Sequence, residues 1–177
     1  LTALKNSDMR IRELAAYSLG YMRANAKEAI PALAQAVQNE KDGDALTSEI
    51  NGLGEIGPDA SLAVPTLIKI GSTDAVKALG KIGPEAKEAI PFLETKWKDT
   101  KENTNYRRAV ITSLVQITRD LRPLIHSMAD PNAQVRCESA LAMKEIFQNS
   151  LAARYGLNGK VAVPELIRLL KDSNSDV

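Results

Sequence analysis

The chain has 177 residues, with 23 Lys plus Arg against 22 Asp plus Glu, one His, one Cys and seven aromatic residues. Its composition, 44% apolar and 25% charged, is that of an ordinary globular chain, and a net charge of +1 excludes a strongly basic nucleic-acid binder as the reading of the whole. One Cys excludes an internal disulfide framework, and one His excludes a multi-histidine metal centre within the chain.

In chain order, residues 1–8 read as the close of a second helix and the turn into a first one. Ile11, Leu14, Ala15, Tyr17 (or Ser18) and Leu19 then carry apolar and small side chains at helical spacing. Three passages align without gaps: LGYMRANAKEAIPAL at Leu19–Leu33, LGEIGPDASLAVPTL at Leu53–Leu67 and LGKIGPEAKEAIPFL at Leu79–Leu93. Such a spacing, repeated with both its glycine and its proline, marks an internal repeat. Each unit predicts two helices. The second opens with proline near its first position, where a missing N–H costs nothing.

Behind each proline, Leu33 and Val37, Leu67, Leu93 and Trp97, Ile125, and Leu166 with Leu170 lie two or six residues on, and are expected to share the buried face. Pro31 and Pro65 are 34 residues apart but Pro65 and Pro91 only 26. The deficit falls at Gly71-Ser72, where Gly71 can take a left-handed cap and Ser72, Thr73 or Asp74 can cap the next helix.

Two further copies are degenerate. Leu114 leads to Pro123 with three residues fewer, and its first helix is read through Tyr106, Ala109 and Val110. Met143, after Val135 and Ala140, leads to Pro164 with nine residues more, so residues 147–160, with Arg154, Tyr155, Gly156 and Gly159, form an insertion read as a loop rather than a contact element. No segment alternates with period two, so no strands are expected. The chain reads as one array with units 1–39, 40–71, 72–98, 99–129 and 130–171, and the start of another at 172–177, where Asp172, Asn174 and Val177 repeat Asp130, Asn132 and Val135. Both ends cut the pattern, so a piece of a longer array is expected.

The pattern resembles the HEAT repeat, in the bacterial HEAT-like type of the phycobilisome lyase family. Asp8, Ile11, Arg12, Ala15, Ala16, Leu19 and Gly20 match its first part, Leu79–Leu93 its second, and Asn132, Val135, Arg136 and Ala140 the fifth unit. The second unit departs from it at Ala45, Leu46, Glu49 and Ile50. The resemblance implies an all-α, right-handed superhelix (solenoid) of about five hairpins. It also implies that Arg12, Arg107 and Arg136 form a structural ladder with Asp8 and Asn132 as partners, and that second helices line the concave face.

The positions one and four after each proline, Ala32 and Gln35, Thr66 and Lys69, Phe92 and Thr95, Leu124 and Ser127, Glu165 and Arg168, are expected to face outward. Eight of them, from Thr66 to Arg168, are the candidate partner-binding row, with Phe92 and Leu124 as apolar anchors. His126 and Cys137 are read as structural or surface residues, and Trp97 as core. Residues 96–122 hold seven Lys or Arg (Lys96, Lys98, Lys101, Arg107, Arg108, Arg119, Arg122) against Asp99, Glu102 and Asp120. The functional expectation is a non-catalytic platform for another protein, with no cofactor or metal. A bilin lyase subunit or relative is the alternative that the resemblance implies, and a HEAT-like nucleic-acid binder, less favoured, is the third. No apolar run approaches the ~20 residues of a membrane span and no cleavable leader is visible, so a cytoplasmic monomer is expected.

Overall fold

The computed structural model describes residues 2–99, 103–148, 152–153 and 156–172, with the side chain of Ala24 set aside. Among them there is no strand. The α-helices are α1 (Met9–Met22), α2 (Ile30–Asn39), α3 (Gly43–Ile56), α4 (Val64–Ile70), α5 (Thr73–Ile82), α6 (Ile90–Lys98), α7 (Thr104–Thr118), α8 (Arg122–Ser127), α9 (Ala133–Gln148) and α10 (Val163–Leu169). The all-α repeat expected from the sequence is what forms. The chain divides into two compact units, Leu1–Ile90 and Pro91–Val177.

In the first unit α1, α3 and α5 pack in one layer, while α2 and α4 pack beside each other in a second. Each first helix is started by a polar side chain that accepts an otherwise unpaired backbone N–H. Asp8 accepts from Arg10, Asp42 from Asp44 and Ala45, and Ser72 from Ala75. Seven-residue 3-10 linkers, Arg23–Ala29, Gly57–Ala63 and Gly83–Ala89, join first helices to second ones. The same two alanines of each linker are buried: Ala26 and Ala29, Ala60 and Ala63, Ala86 and Ala89. The prolines at the head of α2 and α4 fall in the first turn, as expected. The short third unit is explained at both sides of its junction. α4 has 7 residues against 10 in α2, and α5 has 10 against 14 in α3. Gly71 adopts the left-handed conformation (φ 60°) and Ser72 caps α5.

Gly57 and Gly83 enter their linkers at φ 79° and 76°, a region that side chains avoid. In the first repeat the same place is held by Arg23, at φ 48° and ψ −125°. A non-glycine residue there costs of order 1–3 kcal/mol, and its 3.9 Å pairing with Glu55 is too exposed to offset this. Arg23→Gly is therefore expected to raise stability by about 1 kcal/mol, net of the entropy glycine brings to the unfolded chain, as a higher urea midpoint at unchanged m value.

α1 and α3 approach closely through glycine. A Cβ on Gly52 would stand 2.8 Å from the Ala16 carbonyl oxygen, and one on Gly20 2.9 Å from the Gly52 Cα. This fixes which side of α1 is buried. Ala16 and Gly20 are covered and Ala15 and Leu19 half covered, whereas Ile11, Leu14 and Tyr17 of the helically spaced set are exposed. Among the described residues α1 has one neighbour in its layer, and that neighbour meets the small-residue side.

In the second unit α7, α8 and α9 pack together around Ile111, Val115, Leu121, Leu124, Met128, Met143 and Ile146. Trp97, Ile125 and Leu166 lie partly buried against this cluster. The outward assignment of Leu124 and Ser127 is corrected, since both are buried. With three residues fewer before Pro123 no seven-residue linker forms. α8 follows the left-handed Arg119 (φ 55°), and its turn buries Leu121, Leu124 and Met128. The core assignment of Leu170 is also corrected: it is 87% exposed, because α10 ends at Leu169 and buries that residue instead. In the insertion, Ala152 and Leu157 contribute to the cluster and Gly159 lies under the Phe147 ring, so part of it packs rather than loops out. Arg154, Tyr155, Asn174 and Val177 lie outside the described residues.

Candidate interaction surfaces

The row expected after the prolines is not one continuous surface. Lys69 and Thr95 are exposed, and Phe92 is half-buried. Thr66 is buried, its Oγ1 accepting a 2.8 Å hydrogen bond from Gln38 Nε2 as α2 and α4 pack. In the second unit Ser127 donates to the Leu124 carbonyl and lies 2.7 Å from Ser139 Oγ, an internal polar link between α8 and α9. Glu165 and Arg168 face each other at 3.0 Å, and Arg168 also donates to the Met128 carbonyl. A double substitution of Phe92 and Leu124 would thus cut into the core and could not probe a surface.

The apolar surface lies instead on α1. Leu14, Tyr17 and Tyr21 are 63, 57 and 70% exposed and share one side of the helix at i, i+3 and i+7, with Ile11 and Met22 beside them. The two tyrosine rings are 4.8 Å apart between centroids and their hydroxyls 3.1 Å apart. That hydroxyl pair pushes the Tyr17 phenol above its ordinary range, because Tyr21 is bonded to the protonated form. The tyrosines also border a groove of about 540 Å³ between α1 and α3, with Gly20 and Gly52 in its lining. Glu13, Arg23, Glu55 and Lys81 supply its charges, and Lys81 pairs with Glu55 at 2.7 Å.

The arginines form locks, though not with the expected partners. Arg12 donates to both oxygens of Glu40 (2.6 and 2.9 Å) and to the carbonyls of Asn6 and Ser7. Arg136 does the same with Asp172 (2.7 and 2.8 Å) and the carbonyls of Asp130 and Pro131. Each ties the loop before a first helix to the carboxylate that follows the second helix of the same hairpin. Asp8 and Asn132 are occupied in capping. Arg107 is buried and donates to the Trp97 carbonyl. These bonds raise Arg12 and Arg136 further above their ordinary range. Glu40, held by Arg12 and by the N–H groups of Asp42 and Lys41 against the cost of burial, is lowered to about 2.

Under the Arg12–Glu40 pair, α3 carries Glu49. Its side chain is fully buried, and neither carboxyl oxygen has a hydrogen-bond partner among the described residues. Burial raises it to about 7, with Glu40 adding to the rise and Arg12 opposing it. The sequence showed this residue only as a departure from the small-residue position of the repeat, filled by Ala15 in the first unit.

In the second unit His126 is exposed, with its ring edge-on to Trp97 at 6.5 Å, and Cys137 is half-buried. The basic segment is divided: Arg107 is buried, Arg108 faces Glu138 at 3.3 Å, and Arg122 faces Asp120 at 2.6 Å. Lys101 and Glu102 lie outside the described residues. No helix among the described residues is long and apolar enough to cross a membrane.

A search of curated proteins gave no match. Against family models, residues 11–39 match the PBS lyase HEAT-like repeat. The matched span runs through most of α1, its 3-10 linker and all of α2. The first hairpin is therefore similar to a repeat of that helical scaffold type, in agreement with the resemblance read from its residues.

Proposed function

We propose that this chain is a non-catalytic helical scaffold whose exposed α1 side receives an apolar helix, supplied by a partner protein or by an adjoining repeat. The observation that carries this reading is the contiguous stripe of Leu14, Tyr17 and Tyr21 beside an open groove. Tyrosines bury a large area at low entropic cost and are enriched among the residues that dominate interface energies. Their i, i+3, i+7 spacing fits an apolar helix face, the way α1 already meets α3 on its other side.

The test is to select helical 20-residue peptides on the intact chain and map a binder by backbone NMR shifts. Shifts centred on α1, with affinity at least tenfold weaker in a Tyr17→Ala/Tyr21→Ala variant that melts normally, are expected. Binding that perturbs α2 and α4 instead, or that survives the double substitution, would move the site elsewhere.

A further inference from the structure

Beside Glu49 a cleft of about 420 Å³ opens between α1, α2 and the N-terminal turn, within the size range of small-ligand sites. Leu4 and Ala32 form part of its apolar lining, and Lys5, Arg12, Gln35 and Glu49 are among its polar residues. The surrounding polar groups are largely occupied. Arg12 gives its N–H groups to Glu40 and to two carbonyls, and Glu40 accepts from Arg12 and from the backbone N–H groups of Lys41 and Asp42. Asn39 Nδ2 donates to the Gln35 carbonyl. Of the groups lining the cleft, Glu49 alone presents two buried oxygens with no donor among the described residues. Unpartnered buried carboxyls are rare, and this one borders a space that a ligand can enter.

We propose that this cleft binds an alkylammonium group, with the Glu49 carboxylate accepting its N–H donors and the alkyl chain lying against Leu4 and Ala32. The site stands apart from the α1 stripe and does not depend on it.

An ammonium supplies what the site lacks: N–H donors for two acceptors, and a positive charge that balances the carboxylate once both are out of water. An anion would find few donors inside, because the Arg12 guanidinium is already committed. The other charged groups facing the cleft, Lys5 and Lys41, are exposed. Water screens them, whereas the buried Glu49 acts at low dielectric and so sets the sign of the preferred charge. Because an ammonium pairs with the ionised form, binding draws a proton off Glu49, and affinity falls as pH falls through about 7.

The experiment follows the Glu49 side-chain carboxyl ¹³C shift through a pH titration of the full chain, with and without n-butylammonium. Tetramethylammonium, which has no N–H, and acetate serve as controls. A saturable response is expected that lowers the Glu49 titration midpoint by about one pH unit or more, with affinity about tenfold weaker at pH 6 than at pH 8. Glu49→Gln, checked for folding by circular dichroism, should bind at least tenfold more weakly. A Glu49 midpoint unmoved by n-butylammonium, an equal response to tetramethylammonium, or undiminished binding by Glu49→Gln would overturn the assignment.

Discussion

Leu33→Ala is expected to lower the unfolding free energy by about 2–5 kcal/mol, the range for deleting a fully buried leucine side chain. Leu33 is 0% exposed, and its Cδ2 lies 3.4 Å from where a Cβ on Gly52 would stand, directly under the α1–α3 approach. Its loss leaves a cavity that two helices held by backbone-to-backbone contact at Gly20 and Gly52 cannot readily close. The cost should therefore sit in the upper half of that range. Leu170→Ala provides the control: 87% exposed, it should change stability by no more than about 0.5 kcal/mol. Urea unfolding of both variants decides the matter. Equal midpoints would mean that the face of α2 two residues after its proline is not core.

Glu49 should make the protein less stable as pH rises from about 5 to 8. Its carboxyl is raised to about 7 in the folded state from an ordinary 4.5, so the native state binds the proton more tightly than the unfolded chain. The stabilisation is complete below the unfolded value and is lost as pH climbs through the folded one. At 1.36 kcal/mol per pH unit of displacement, the full effect is at most about 3 kcal/mol, and about 1–3 kcal/mol is the expected fall. Glu40 acts in the opposite sense. Lowered to about 2, it contributes above its unfolded range and loses that contribution as the solution is acidified toward 2. Glu49→Gln should remove the decline between pH 5 and 8 while leaving the acid limb set by Glu40. Parallel stability-against-pH curves for the two proteins would show that Glu49 is not held protonated by burial.

Much of the local structure was legible in the residues themselves. Proline at the head of α2 and α4, the left-handed Gly71 and the capping Ser72 follow from constraints within a few residues of chain. So do Leu33, Leu67 and Leu93 on one side of their helices, since the 3.6-residue period repeats in register after each proline. Where the linker length changed, that inference failed: three residues fewer before Pro123 rotated Leu124 and Ser127 inward, and the end of α10 left Leu170 in solvent. The partners of Arg12 and Arg136 were misplaced for a similar reason. Nearby Asp8 and Asn132 satisfy the first-turn N–H groups, and the guanidinium groups reach carboxylates 28 and 36 residues away.

The repeat and its helical class were thus written in spacing, because helix starts, caps and periodic burial depend on neighbours in sequence. Which side of α1 is covered, and that Glu49 has no hydrogen-bond partner among the described residues and borders a cleft, came only from assembly of the hairpins. Leu14, Tyr17 and Tyr21 have core composition, yet Ala16 and Gly20 are what α3 reaches, since only small residues let two helix backbones approach so closely. Glu49 has the chemistry of a surface residue, and only the packing of α1 and α2 over α3 takes its carboxyl out of water.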